Sequence, residues 1–271
     1  MFRNFLNECD CKFKTLICPK GSDSDCQVCF EQAYYKTDAE HSDHYNCLKG
    51  CYYYAMHYGP AYISEIYHLL DKIKLLENYT DVVKIASLGG GFGTDLAAIL
   101  KYRSDKLLPI HFMYSIVDNA TTWQDVINIL MQDTHIQIEN VDVSENNIEL
   151  SSFDIIFLNK VFSTLKTNNQ EQTFLMHLNQ SLISMKIGAF FIFNDVNNSL
   201  TGRDEFLNFM ACQPNIKCKG KYYFPLDNAY TGDYEPIYAT NNILDISGLN
   251  LSCEIMNLVR KTFFAIYQKE V

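Results

Sequence analysis

The sequence predicts an α/β fold in which a doubly wound, mostly parallel sheet of seven strands ends in an antiparallel hairpin. Three observations predict it. Short apolar runs alternate with helical patterns from about residue 80 onward. A glycine-rich turn joins the first of these runs to a helix. Polar residues follow the strands at their carboxyl ends, where an open α/β sheet binds its ligands. We expect a small cysteine-rich zinc module and a helical cap in front of this sheet.

The individual elements follow from apolar periodicity and from the residues that interrupt it. Mostly apolar or alternating runs of strand length predict the strands, and three- to four-residue spacing predicts the helices. The predicted strands are Val82–Leu88, His111–Val117, His135–Val141, Phe153–Leu158, Ala189–Asn194, Leu251–Leu258 and Thr262–Gln268. The predicted helices are Thr94–Tyr102, Thr122–Asp133, Glu171–Ile187 and Asp204–Ala211. The last two strands lie close together and are expected to form the hairpin.

Three regions are expected along the chain. Residues 1–50 are rich in cysteine, lack sustained apolar periodicity and are expected to be irregular, so they need a metal staple. Residues 51–79 form a tyrosine-rich helical cap, which Gly59-Pro60 divides into two helices or kinks. Residues 80–271 form the α/β domain.

The net charge and the length of the apolar runs limit the kinds of partner that the chain is expected to bind. The chain has 271 residues and a net charge of −10, which would repel a phosphate backbone and disfavours nucleic acid. No apolar run reaches the length of a membrane span, and the N-terminus lacks the apolar segment of a secretory signal. We therefore expect a cytoplasmic protein without a membrane partner. The oligomeric state is left open.

The glycine-rich turn has a physical purpose. Leu88 is followed by Gly89-Gly90-Gly91-Phe92-Gly93, and a helix begins directly behind. Glycines let backbone amides approach a ligand, and the helix N-terminus favours a negative group. Glycine turns also occur where a strand simply packs against the helix that follows it. The residues at the ends of the later strands are therefore needed to decide whether this turn binds a ligand.

The second, third and fourth strands each end in a polar residue. Asp118 can accept hydrogen bonds from both ribose hydroxyls of a nucleotide cofactor. Asp142 can contact an adenine amino group, and Asn159 ends the strand that faces the reacting centre. Trp123 could cover the adenine or could anchor the second helix to the sheet, and both readings stay open.

With these residues in place, residues 80–271 resemble the class I S-adenosylmethionine-dependent methyltransferases, a Rossmann-like family. Gly89, Gly91 and Gly93 match the motif glycines beneath the methionine part of the cofactor, and Asn159 matches the start of the catalytic-loop motif. The resemblance implies S-adenosylmethionine as the cofactor and Asn159 as the catalytic candidate. The cofactor-binding residues that it implies are Gly89, Gly90, Gly91, Gly93, Asp95, Asp118, Asn119, Trp123, Asp142, Val143 and Asn159.

One position departs from that family. Ser87 stands where an acidic residue is usual, and Asp95 could replace it or could simply begin the helix. A nicotinamide cofactor fits less well, because the glycine spacing differs from the Gly-x-Gly-x-x-Gly fingerprint.

The N-terminal cysteines suggest zinc. Cys26 and Cys29 are separated by two residues, a spacing that lets one tight turn supply two zinc ligands. With Cys18 and Cys47 they form the predicted structural zinc site. Other ligands, and even a second site, could come from Cys9, Cys11, Cys51, His41 and His44. Buried free thiols are the alternative.

Two functions remain. The first is methyl transfer from S-adenosylmethionine to a small molecule or a protein, with RNA left open. The second is a cofactor-binding but non-catalytic assembly or interaction protein with the same fold.

Overall fold

The structure is a computed structural model. It describes residues 2–19, 26, 28–29, 47–130, 136–225, 233–239, 241–256 and 262–271. Of the predicted ligands, His41 and His44 lie outside these residues, as do parts of the predicted elements at residues 131–135 and 257–261.

One mixed sheet organises the molecule. Its strands are β1 (Val82–Leu88), β2 (His111–Asp118), β3 (Ile136–Asn140), β4 (Ile155–Asn159), β5 (Phe190–Val196), β6 (Ile216–Tyr223), β7 (Glu235–Pro236) and β8 (Thr262–Lys269). Their order across the sheet is β3-β2-β1-β4-β5-β8-β6-β7. The first five strands in this order run parallel, which confirms the predicted doubly wound arrangement.

Two details of the predicted sheet are wrong. The described sheet has eight strands rather than seven. The described residues also do not form the predicted terminal hairpin, because residues 251–256 are not a strand. β8 instead runs antiparallel between β5 and β6. The prediction missed β6, since its sequence Ile216-Lys-Cys-Lys-Gly-Lys-Tyr-Tyr is mostly polar.

Eight helices of more than one turn are described. They are α1 (Phe2–Thr15), α2 (Leu48–His57), α3 (Gly59–Ile73), α4 (Thr94–Lys106), α5 (Trp123–Leu130), α6 (Phe162–Thr167), α7 (Glu171–Ser184) and α8 (Arg203–Ala211). Short 3-10 helices occupy Leu75–Asn78 and Ser199–Thr201. The predicted division at Gly59-Pro60 is confirmed, because α2 ends at His57 and Pro60 lies in the first turn of α3.

Helix α1 corrects the prediction that residues 1–50 are irregular. Phe5, Leu6, Cys9 and Asp10 are buried on one face of α1 at helical spacing. The apolar part of this face joins the same hydrophobic cluster as α2, α3 and one side of the sheet. The prediction missed it because charged residues stand between the few apolar ones. The N-terminal segment therefore contributes to the main core.

A second hydrophobic cluster covers the opposite side of the sheet, beneath α6, α7 and α8. The cap helix α3 packs against α4, and α1 packs against α2 and α5. The carboxyl ends of β1 and β2 therefore lie beside the cap. Among the described helices, none combines the length and the apolar character that crossing a bilayer requires.

Residues 251–256 connect the end of the chain to the cap. The backbone amide of Ser252 donates to Asp10 Oδ1 at 2.8 Å. The amide of Met256 donates to the carbonyl of His57 at 2.8 Å. This segment thus fastens α1 and α2 from outside, which explains why it does not pair with β8.

Candidate functional site

The glycine turn between β1 and α4 has the conformation that its composition predicts. Gly89, Gly91 and Gly93 have φ angles of +62°, +52° and +83°, which side chains rarely tolerate. The Gly89 amide donates to the carbonyl of Val117 at 2.7 Å, and the Gly93 amide donates to the carbonyl of Gly90 at 2.9 Å. The turn is therefore held against the end of β2.

Asp118 meets this turn directly. One carboxylate oxygen, Oδ2, accepts from the Gly91 amide at 2.9 Å, and Oδ1 accepts from the Ala120 amide at 2.9 Å. Burial raises the pKa of Asp118, while the two amides act against the rise and the charge of Asp142 adds to it. The two amide bonds hold the carboxylate in one orientation beside the turn, and each oxygen retains a lone pair for a hydroxyl group.

A small pocket of about 90 Å³ opens beside Asp118. Gly91, Trp123 and Asn140 line it together with apolar side chains from β2, β3 and α5. A carboxylate at one side and an indole at another are suited to a polar group attached to a flat ring. The structure therefore brings together Gly91, Asp118 and Trp123, three of the predicted cofactor residues.

Two further predicted residues form a neighbouring pair. Asp142 accepts from the Asn119 side-chain amide at 2.7 Å, and its other oxygen accepts from the Ser144 amide at 2.9 Å. The adjacent Val143 is buried in the cluster on the opposite side of the sheet. Asp142 and Asn119 thus stand at the rim near Asp118, whereas the Val143 side chain packs in the core.

Asp95 occupies a different environment from the turn. It is fully buried, and its carboxylate lies close to Tyr114 and Ser87 beneath α4. Burial raises the pKa of Asp95 to about 6, and the neighbouring Tyr114, Ser87 and backbone amides limit the rise. Asp95 does lie beside Ser87, but both residues lie next to Tyr114 in the core and not at the surface of the turn.

Because the pKa of Asp95 is raised on folding, the folded state retains a proton that the unfolded state loses as the pH increases. This proton contributes to the free energy of unfolding. The contribution is complete below about pH 4 and is lost as the pH rises through about 6. We expect Asp95→Asn to gain on the order of 2 kcal/mol in unfolding free energy, relative to wild type, between pH 4 and pH 7. Urea denaturation at both pH values measures this difference.

The exposed Asp81 provides the matched control. Asp81→Asn should differ from wild type by the same amount at both pH values. A pH-independent difference for Asp95→Asn as well would contradict the assignment of a raised pKa to this carboxyl group.

Asn159 lies at the carboxyl end of β4, one residue beyond the Leu88–Leu158 pair that joins β4 to β1. Its register partner on β5 is Asn194. Within the described part of the chain, neither the amide nitrogen nor the amide oxygen of Asn159 has a hydrogen-bond partner. A buried polar group without a partner is costly and indicates a ligand or water position. The amide of Asn159, like that of Asn194 beside it, therefore has a donor and an acceptor that the described residues leave unused.

Sequence reasoning missed the charged residues beside Asn159. Lys160 Nζ lies 2.9 Å from Glu65 Oε2, and Thr262 Oγ1 donates to Glu65 Oε1 at 2.8 Å. Glu65 stands on the buried face of α3, three residues after Tyr62 and four before Leu69, and this spacing could have indicated its burial. Its partner Lys160 could not have been identified, because the contact joins residues 95 positions apart.

Aromatic residues from α1, α2 and α5 surround Phe92 of the glycine turn. The Phe92 ring centre lies 5.9 Å from Phe5, 6.3 Å from Tyr54 and 6.1 Å from Trp123. A side chain at Gly59 would approach Phe92 to 2.9 Å, so the first residue of α3 must be small. The predicted packing of the tyrosine helices against the α/β domain is therefore observed at the turn itself.

The cysteines show no formed metal site among the described residues, where no group of three or more Cys, His, Asp or Glu side chains could hold a metal ion. None of the ten cysteines forms a disulfide. Cys26 is buried, and its neighbours include Cys47, Cys18 and Cys29. The structure thus brings the four predicted cysteines into one region without forming the predicted module.

Comparisons with known proteins give structural likeness at low sequence identity. No protein-family model matches the chain, and no curated protein matches it in sequence. A Listeria monocytogenes protein described as a class I S-adenosylmethionine-dependent methyltransferase has a TM-score of 0.48 and 12% identity, with 78% of this chain covered. The match spans 60% of that protein.

Two other solved structures are similar to the same degree. The N-methyltransferase NodS from Bradyrhizobium japonicum, in complex with S-adenosyl-L-homocysteine, has a TM-score of 0.48 and 12% identity over 76% of this chain and 86% of its own. An S-adenosylmethionine-dependent methyltransferase from Aquifex aeolicus has a TM-score of 0.43 and 16% identity over 78% and 98%.

Proposed function

We propose that the protein is an S-adenosylmethionine-dependent methyltransferase. The observation that carries this proposal is the contact between the Gly91 amide and Asp118, which combines the glycine turn after β1 with the acid that ends β2. A ribose fits the carboxylate, and an adenine ring fits the pocket beside Trp123. The unpaired amide of Asn159 fits a polar part of the cofactor or of the acceptor. The residues present therefore suit this cofactor.

Each residue would contribute binding or orientation. Asp118 would accept hydrogen bonds from the ribose hydroxyls, with Gly90, Gly91 and Gly93 leaving room for the backbone to approach. Asn119 and Asp142 would meet the adenine edge. When bound, S-adenosylmethionine supplies a methyl group already activated by its sulfonium. Asn159 would hold the acceptor in line with that methyl group, and such positioning accounts for much of the rate in a reaction of this type.

The acceptor that we favour is a small molecule or a protein. The net charge of −10 disfavours RNA. The described groups beside Asn159 are also unsuited to a phosphate chain: one lysine, already paired with a buried glutamate, and the ring of Tyr62. We also retain the cytoplasm as the proposed location.

The second candidate is a cofactor-binding but non-catalytic protein, and Ser87 is the observation that favours it. Ser87 is fully buried next to Asp95, so β1 offers no carboxylate to the cofactor's amino group. Conversion of S-adenosylmethionine to S-adenosylhomocysteine separates the two candidates. We expect conversion when a small-molecule or a protein fraction of cell extract is added. Cofactor binding without conversion in any fraction would favour the second candidate.

We further propose that Cys18, Cys26, Cys29 and Cys47 hold a structural zinc ion. Burial raises the pKa of Cys26 to about 11, and the charges of Cys47, Cys18 and Cys29 contribute to the rise. Four cysteine sulfurs in one region match the tetrahedral sulfur set of a structural zinc ion, which binds their deprotonated form. The site would fasten the N-terminus to α2, whose N-cap residue is Cys47.

Metal analysis tests this site. We expect about one zinc ion per wild-type chain and a loss of most of it in Cys26→Ser/Cys29→Ser, because two of the four ligands are removed. The exposed Cys212 and Cys218 supply the control, since Cys212→Ser/Cys218→Ser should retain its zinc. Equal zinc contents in the two double variants would refute the proposed ligands.

A further inference from the structure

Three distant parts of the chain meet at the carboxyl ends of β4 and β5. Glu65 comes from the cap helix α3, Lys160 follows β4, and Thr262 begins β8. Lys160 Nζ lies 2.9 Å from Glu65 Oε2 and also donates to Thr262 Oγ1, while Thr262 donates to Glu65 Oε1 at 2.8 Å. The cap, the strand that carries Asn159 and the last strand are thus connected through one ion pair.

This ion pair is buried. The side chains of Lys160 and Glu65 are 11% and 1% exposed. Burial raises the pKa of Glu65, and the nearby Lys160, Thr262 and Asn194 act against the rise. A buried ion pair often adds little net stability, since desolvation offsets the attraction between the charges. In some proteins such a pair instead selects one arrangement of the groups that it joins.

In this protein the groups that the ion pair joins are the cap helix α3, the residue after Asn159 and the last strand. Lys160 directly follows Asn159 and has a φ angle of +57°. Its ammonium group lies 4.9 Å from the centre of the Tyr62 ring. Tyr62 stacks on Tyr58 at 5.8 Å, and Tyr54 lies 5.0 Å from Tyr58 and 5.6 Å from Trp123. A continuous series of rings therefore connects the ion pair to the pocket beside Asp118.

We propose that Lys160 is a positioning residue which, through Glu65, holds α3 beside Asn159 and, through the contacting rings of Tyr62, Tyr58 and Tyr54, holds α2 over the cofactor pocket. The position of the cap and the affinity for the cofactor are then coupled. This inference rests on the proposed function. The aromatic contacts of Phe92 with α1 and α2 fix the cap at the glycine turn, and the Glu65–Lys160 pair fixes it at the opposite end, beside Asn159.

The test separates positioning from folding. Lys160→Met alone leaves a buried carboxylate without its partner and is expected to unfold more easily. Glu65→Gln/Lys160→Met removes both charges, keeps similar shapes and is expected to recover the stability of the wild type. If the pair positions the cap, the double variant still binds S-adenosylhomocysteine about tenfold or more weakly than wild type, the usual range for coupled sites. Calorimetry gives the affinity, and urea denaturation gives the stability.

A second ion pair on α3 provides the matched control. Lys106 of α4 lies 2.6 Å from Asp71 near the other end of α3, and both side chains are more than a third exposed. Asp71→Asn/Lys106→Met should bind S-adenosylhomocysteine as wild type does. Faster amide hydrogen exchange of α3 in Glu65→Gln/Lys160→Met than in this control would add independent support.

The outcomes are distinct. If wild type binds S-adenosylhomocysteine and Glu65→Gln/Lys160→Met binds it equally well, the positioning role is overturned and the proposed function stands. If wild type does not bind it at millimolar concentration, the proposed function is overturned and this inference falls with it.

Discussion

Asp118→Asn is expected to weaken S-adenosylhomocysteine binding by about 100-fold, because it replaces the charged group that we propose as the acceptor for two ribose hydroxyls with a neutral amide. Hydrogen bonds to a charged group contribute about 1.5–3 kcal/mol each, so the loss of charge at two of them is sufficient for this effect. The variant can still accept from one of the Gly91 and Ala120 amides that now hold Asp118. Calorimetric titration measures the change.

Asp125→Asn is the control for this experiment. Asp125 lies on the exposed side of α5, seven residues after Asp118, and does not line the pocket. The Asp125→Asn variant should bind S-adenosylhomocysteine with the same affinity as wild type. Similar affinities for Asp118→Asn and Asp125→Asn would show that Asp118 is not the ribose acid.

Gly89→Ala is expected to destabilise the fold by about 2–4 kcal/mol, since two costs coincide at this position. The residue has a φ angle of +62°, and a Cβ atom there would lie 2.6 Å from Val161 Cγ2. Val161 is β-branched and directly precedes α6, so it can move little. Urea denaturation measures the loss of unfolding free energy.

Gly248 separates the two costs. It has a φ angle of +70°, but a Cβ atom there would meet nothing within 4 Å among the described residues. Gly248→Ala should therefore show only the backbone cost, about 1–2 kcal/mol. Adding Val161→Ala to Gly89→Ala should recover part of the remaining difference. Equal losses for Gly89→Ala and Gly248→Ala would contradict the close approach of Val161 to the turn.

The parallel half of the sheet could be predicted because its signals are local. β1 is a mostly apolar run that is interrupted by Lys84 and Ser87, and three of the glycines that follow it have positive φ angles. Asp118 follows from the same reasoning, since parallel strands place their carboxyl ends at one edge. The contact of Asp118 with Gly91 then requires only that β1 and β2 be neighbours.

The remaining features depend on distant parts of the chain. β8 inserts between β5 and β6, and nothing in residues 262–269 indicates which strand they pair with. Helix α1 is apolar on a narrow face and depends on α2 and α5 for its burial. Asp95 looked like part of the turn, but its position in the first turn of α4 directs it to Tyr114 in the core.

The candidate site likewise contains residues that local sequence signals identify and residues that they do not. The proposed cofactor residues are consecutive or stand at strand ends, so sequence motifs identify them. The ion pair beside Asn159 joins Glu65, Lys160 and Thr262, which the fold gathers from three separate regions. No local pattern relates these three residues, so only the three-dimensional arrangement reveals them.

Titration of S-adenosylhomocysteine into the purified wild-type protein tests the central claim most directly. The glycine turn, Asp118 and the pocket beside Trp123 predict one binding site with a dissociation constant below about 1 mM. The affinity should fall in Asp118→Asn and stay unchanged in Asp125→Asn. Absence of any binding at millimolar S-adenosylhomocysteine and S-adenosylmethionine would contradict the claim that this turn holds that cofactor.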